Sequence, residues 1–103
     1  MLFKKIILIL VFLTFSSSTF ADDKMALGLE VYNNKAQCGV CHTLQAARST
    51  GDIGPNFDQL KAQMAQIIAV VTNGIGVMPP WEGILTYEEI EAVAYYVFNS
   101  TNK

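Results

Sequence analysis

Cys38-Gly39-Val40-Cys41-His42 is the stretch on which the reading of this chain turns, and it contains every cysteine and histidine among the 103 residues. On a helical turn, positions three and four apart share a face. Cys38, Cys41 and His42 can therefore all point at one planar ligand. C-x-x-C-H is the spacing that attaches a haem covalently, with two thioether bonds to its vinyl groups and an imidazole on its iron. The predicted cofactor is one covalent haem c, anchored by Cys38 and Cys41, with His42 as the proximal iron ligand.

Toward the N-terminus, Lys4 and Lys5 form a basic start, Ile6 to Phe15 an apolar run, and Ser16 to Ala21 a small-residue tail. That layout is an export signal. Residues 1–21 are expected to be removed, with Thr19 and Ala21 three and one residues before the cut, leaving a single domain over residues 22–103. The apolar run falls short of the about 20 residues a spanning helix needs, an uncleaved anchor being the alternative. The expected location is the periplasm, without stable membrane insertion after cleavage. A domain this small rarely holds itself together on a hydrophobic core alone. Both cysteines sit in one C-x-x-C, so no disulfide framework staples distant segments, and a covalent haem would supply the missing apolar centre.

Lys4 and Lys5 leave with the leader, so the remaining domain is more acidic than the formal charge of −2 for the full chain. Without a basic patch, nucleic acid is excluded as the expected partner. An acidic carrier is instead steered toward a positively charged docking surface.

Three segments carry helical periodicity and none reads as a strand. The first spans about Asp23 to Ala36, with Asp22 or Asp23 as N-cap and a stripe of Met25, Leu29, Tyr32 and Ala36. Gly28 lies within it and costs about 1 kcal/mol against alanine in a helix interior. Close passage of the last helix over Gly28 would explain it. Residues 46–58 lose the pattern around Gly51, Gly54 and Pro55 and read as a loop. A middle helix follows over about Asp58 to Asn73, with Leu60, Met64, Ile67, Ile68 and Val71 on its apolar face and Gly74 as its stop. Residues 74–85 form a second loop. Thr86 and Glu89 then give a capping-box pattern, flanked by Leu85 and Ile90 as a hydrophobic staple. Ile90, Val93, Ala94, Val97 and Phe98 hold the core face to about Asn99, with a polar, frayed tail from Ser100.

An electron-transfer haem needs a second axial ligand, and with the histidine used a methionine is the expected one. Met25 and Met64 sit in helical apolar stripes, where methionine fills core gaps. Met78 lies in a loop rich in glycine and proline, and Pro79 restricts it to an extended backbone. A stiff loop can hold a weak, neutral sulfur on the iron, so His42 and Met78 are the predicted metal ligands.

With Cys38 to His42 near the start of the domain and Val77-Met78-Pro79-Pro80-Trp81 before an amphipathic end, the chain resembles the class I bacterial c-type cytochromes. The stretch from Leu85 to Val97 is similar to the final helix of that family. The compact form resembles small periplasmic and photosynthetic carriers. The Gly54-Pro55-Asn56 region and the short Met78 loop also resemble the cytochrome subunits that accompany sulfite dehydrogenases. The resemblance implies an all-α cytochrome c fold, with three main helices and loops wrapped around one covalent haem. It implies a one-electron carrier between redox proteins rather than an enzyme. It further implies that the Pro55 carbonyl accepts from the His42 ring nitrogen facing away from iron, and that Leu60 packs on the haem. Gly28 and Tyr32 would meet the last helix near Tyr95 or Tyr96. Trp81 would lie near a propionate or cover the haem rim, ordinary burial being the competing role.

Rival chemistries fit less of the chain. A thiol–disulfide enzyme reads from Cys-x-x-Cys near a β-α-β pattern, but no strand precedes this one and His42 and the Met78 loop go unused. A structural zinc site wants four nitrogen or sulfur ligands, and only Cys38, Cys41 and His42 offer themselves. Gas binding or peroxide chemistry needs an open iron position with polar groups beside it, whereas the Met78 loop carries neither histidine nor arginine. A free shuttle and a dedicated dehydrogenase subunit use the same haem chemistry, and both stay open at this level.

Overall fold

The computed structural model describes residues 20–103, and its helices form where the apolar stripes recur. Helix α1 covers Phe20–Glu30, α2 Phe57–Leu60, α3 Met64–Asn73 and α4 Tyr87–Thr101. Strands β1 (Thr43–Leu44) and β2 (Ser49–Thr50) form one short antiparallel pair. Apart from Phe20 and Ala21, the predicted leader lies outside the described residues. Among those residues no helix is long and apolar enough to cross a membrane.

Helix α1 is already running at Phe20, so Asp22 and Asp23 lie in its first turn and neither is its N-cap. There their charges face the positive end of the helix dipole. At Val31–Lys35 the helix widens into a π-helical turn, closed by Ala36 N–H on the Val31 carbonyl at 2.8 Å. Gly28 faces α4, as expected. A Cβ placed on it would stand 2.5 Å from Tyr96 Cβ and 2.9 Å from the Ala92 carbonyl carbon. The helix turns this bare spot, with Val31 and Tyr32, toward the core. Leu29, predicted inside, is therefore carried outward and is 38% exposed. Neighbouring helical residues point about 100° apart, so the two positions cannot share the contact.

The predicted middle helix is two helices. Asn56 caps α2 by accepting from the backbone N–H groups of Asp58 and Gln59. Lys61 then takes a left-handed conformation (φ 49°) and ends it within one turn. Gln63 is extended, and α3 starts afresh with Ile67 and Val71 buried against α4. Strand β2 lies inside the segment predicted as loop and pairs with β1 just before it, where Leu44 is fully buried. Two residues per strand are too few for alternation to show.

Helix α4 opens as its sequence predicts. The Thr86 hydroxyl accepts from Glu89 N–H at 3.1 Å, and the Glu89 carboxylate accepts from Thr86 N–H at 2.9 Å. Leu85 and Ile90 are both buried in the core around this cap. The helix continues past Asn99 to Thr101, whose buried hydroxyl donates to the Val97 carbonyl at 2.9 Å. Ser100, expected to open the frayed tail, is thus helical, and Asn102 caps the helix by donating its N–H to the Phe98 carbonyl at 2.9 Å. The other Glu89 oxygen pairs with Lys35, joining the π-turn to α4, and a second ion pair links Lys24 to Glu91.

Gly28→Ala is expected to destabilise the protein. Inserting a methyl where the helices touch costs about 1–3 kcal/mol, more than the about 1 kcal/mol of helix propensity it restores. Denaturant unfolding would read the net loss, and an unchanged midpoint would mean the crossing opens freely. Lys35, followed by the Thr86 N–H, holds the Glu89 carboxyl below its ordinary value. That stability is present above the ordinary glutamate pKa of about 4.3 and is lost as pH falls through the folded value. Urea unfolding at stepwise lower pH should therefore show a shallower acid decline for Glu89→Gln than for the parent.

Candidate haem site

The turn that carries the two thiols is a single 3-10 turn over Cys38–Val40, entered through Gln37 in a left-handed conformation. Cys41 N–H and His42 N–H both donate to the Cys38 carbonyl, at 3.2 and 3.0 Å. This winding turns Cys38, Cys41 and His42 toward one side, as the spacing implied. Burial pushes the Cys38 thiol up to about 11, with the neighbouring Cys41 adding to the shift. A redox-active C-x-x-C needs the opposite, a thiol acidic enough to form thiolate near neutrality.

His42 is buried, and its Nδ1 lies 2.8 Å from the Pro55 carbonyl oxygen. A carbonyl can only accept, so Nδ1 is the donor, and in the neutral ring Nε2 is the nitrogen with a lone pair to offer a metal. This is the contact the resemblance implied for Pro55. Gly54 makes it possible: its N–H donates to the Cys41 carbonyl at 2.7 Å, and a Cβ there would come within 2.8 Å of His42 Nδ1. The Phe57 ring stacks on the imidazole, with centroids 4.2 Å apart and planes 17° apart. Sequence reasoning missed Phe57, because its direction is set by the Asn56 cap and belongs to no periodic stripe.

Met78 stands at the base of a tight hairpin. Ile75 N–H donates to the Met78 carbonyl at 3.1 Å and Met78 N–H returns to the Ile75 carbonyl at 2.9 Å, with Gly76 and Val77 at the tip. Trp81 N–H then reaches the Val71 carbonyl at 2.9 Å, binding the loop to the last turns of α3. Gly74 lets the chain reverse at that point. Its φ of 72° and ψ of 168° form a combination essentially reserved for glycine. A Cβ there would sit 2.7 Å from the Met78 carbonyl oxygen and from Pro80 N.

These pieces line one cavity of about 590 Å³, within the about 300–1,000 Å³ range of ligand sites. Cys38, Cys41, His42, Pro55, Leu60, Met78 and Trp81, all seven residues predicted for the site, are on its wall. Met25 and Met64 are not, and pack instead on the core. The remaining wall is mostly aliphatic, including Ile53, Ile67, Val70, Val71, Ile75 and Val77, with Gln37 and Gln66 as its amides and no charged side chain. Val77 is 89% exposed and Leu60 49% exposed. A large flat apolar group held by two thiols and an imidazole fits this donor set and would cover those side chains. A phosphate or another polyanion finds no cation here.

Residues 23–97 match the protein family described as cytochrome C oxidase, cbb3-type, subunit III. The chain is 34% identical to cytochrome c6 of Leptolyngbya boryana, over 76% of this chain and 94% of that protein. It is 35% identical to the chloroplastic cytochrome c6 of Chlamydomonas reinhardtii, over 85% of this chain but 62% of that protein. Among solved structures, the c-type cytochrome SorU from Sinorhizobium meliloti superposes with a TM-score of 0.74. It is 48% identical, and the match covers 80% of this chain and 95% of that one.

Gly74→Ala should loosen the Met78 turn, since a side chain in that backbone conformation costs about 1–3 kcal/mol and the new methyl strikes the returning strand. Thermal unfolding of the purified variant should show the loss. An alanine protein as stable as the parent would mean the loop reaches its place by another route.

Proposed function

Because the chain belongs to the class I c-type cytochromes, we propose that it carries single electrons through one covalent haem c, with His42 Nε2 and Met78 sulfur as its iron ligands. The supporting observation is the convergence of Cys38, Cys41, His42 and Met78 on one uncharged, apolar cavity. When bound, the haem supplies a ferric/ferrous couple that takes up or gives back one electron. Cys38 and Cys41 tether it, so the carrier cannot lose its cofactor between partners. Pro55 holds Nδ1 protonated, which raises the basicity of Nε2 and orients the ring. The hairpin holds Met78 with little freedom left to lose, so a weak neutral sulfur suffices as a ligand. A thioether ligand and an uncharged wall both favour the less charged ferrous state and move the potential upward.

Among the described residues, no titratable side chain lines the cavity besides His42 and the two tethering cysteines, and the His42 Nδ1 proton is committed to Pro55. The arrangement suits electron transfer without bond chemistry and lacks the polar groups that O–O cleavage uses. The export-signal pattern of residues 1–21 supports a periplasmic location, where an acidic domain would meet its redox donor and acceptor. A second reading makes the chain the electron-accepting subunit of a dehydrogenase. The exposed apolar side chains outside the cavity wall, Val40 and Ile84, favour it, since a lasting partner would cover them.

An absorption spectrum of the periplasmically expressed protein, oxidised and then reduced, tests the ligation. The ferric form should show the weak far-red charge-transfer band of a methionine sulfur on iron. Met78→Ala should abolish that band, admit exogenous ligands, and lower the potential by on the order of 0.2 V, a fraction of the about 0.8 V that haem surroundings span. An unchanged spectrum and potential would remove Met78 from the iron, and a colourless parent protein would overturn the reading altogether.

A further inference from the structure

A single hydrogen bond leaves an imidazole considerable freedom, because the terminal torsion of histidine is broad and roughly two-fold. In this chain the ring is restrained on more than one side. Pro55 takes Nδ1, Gly54 closes on the Nδ1–Cε1–Nε2 side, and Phe57 lies flat against the ring at 4.2 Å. Phe57 is itself held. It is the first residue of α2, placed by the Asn56 cap, and Tyr32 meets it edge-on with centroids 6.4 Å apart. Tyr32 is fully buried, bonded through its hydroxyl to Ser49 Oγ at 2.8 Å, and packed against Tyr96 of α4 at 5.9 Å. An aromatic series thus runs from the α1–α4 crossing to the imidazole.

We propose that Phe57 is a positioning residue for His42, whose stacked ring fixes the plane of the imidazole about its bond to the iron. The proposal rests on the haem reading above. Leucine or methionine at position 57 would fill similar volume, but neither presents a flat face, so apolarity alone does not account for the stack. The near-parallel planes are the feature that a merely space-filling side chain would not require. The orientation of the imidazole plane determines how unpaired spin is distributed over the haem methyl groups in the ferric state. The position of Phe57 should therefore be legible in a spectrum and not only in stability.

The test is proton NMR of the ferric holoprotein, comparing the parent with Phe57→Leu and Phe57→Tyr. The leucine protein should change the spread and order of the shifted haem-methyl resonances while keeping the methionine band and the helical circular dichroism. The tyrosine protein, which retains the ring, should keep the parental pattern. A leucine protein that only unfolds at lower temperature, with an unaltered methyl pattern, would overturn the positioning role and leave the haem reading standing. A parent protein without covalent haem would overturn both. If the leucine protein does not accumulate with haem, the ferrous parent decides. Cross-relaxation between the Phe57 and His42 rings supports the stack, and its absence overturns it.

Discussion

The hydrogen bond from His42 Nδ1 to the Pro55 carbonyl is the contact on which the rest of the structure depends. It joins the two sides of the cavity wall around the attachment turn: the 3-10 turn bearing both thiols and the loop that returns through Gly54. Without it the imidazole would be a buried polar ring with a donor unmade, which costs more than the bond itself contributes. With it, one ring nitrogen is committed and the other is free. The Gly54 N–H on Cys41 closes the same loop a second time, so the backbone and the side chain agree on one geometry.

The helices serve this site as a frame. Helix α4 is held to α1 by the bare contact at Gly28 and the Lys24–Glu91 ion pair and to the π-turn by Lys35–Glu89, and it also packs on α3. Glu89 has two tasks, closing the helix cap with one oxygen and meeting Lys35 with the other. A small domain gains from such double use, because it has little core over which to spread its contacts. Tyr32 is another case. Burial, partly offset by its bond to Ser49, pushes its phenol up to about 12, so it remains neutral while bracing both the attachment segment and α4.

The Met78 hairpin solves a different problem. The ligation proposed for Met78 asks for a stiff loop, because a thioether is a weak ligand and a mobile loop would lose more freedom on binding than the sulfur could offset. The crossed Ile75–Met78 hydrogen bonds, the reversal at Gly74 and the anchoring of Trp81 on Val71 remove that freedom beforehand. Val77 and Ile75 on the same hairpin belong to the cavity wall, so the segment that carries Met78 also supplies part of its apolar lining.

Features written in adjacent residues were legible from the sequence alone. The C-x-x-C-H turn, the Thr86–Glu89 capping box and the Pro79-restricted Met78 each involve groups within four positions, so local geometry decides them. Gly28 was legible too, because a glycine inside an apolar stripe demands an external reason. Tertiary structure alone decided the rest. The break at Lys61, the π-turn after Glu30 and the outward turn of Leu29 arise where a helix must bend or rotate to keep α4 in contact, and stripe periodicity assumes a straight, uniform helix. The β1–β2 pair joins strands too short to alternate. Phe57 reaches His42 across fifteen residues, through a cap, a loop and a carbonyl that acquire a common direction only when the chain closes around its cavity.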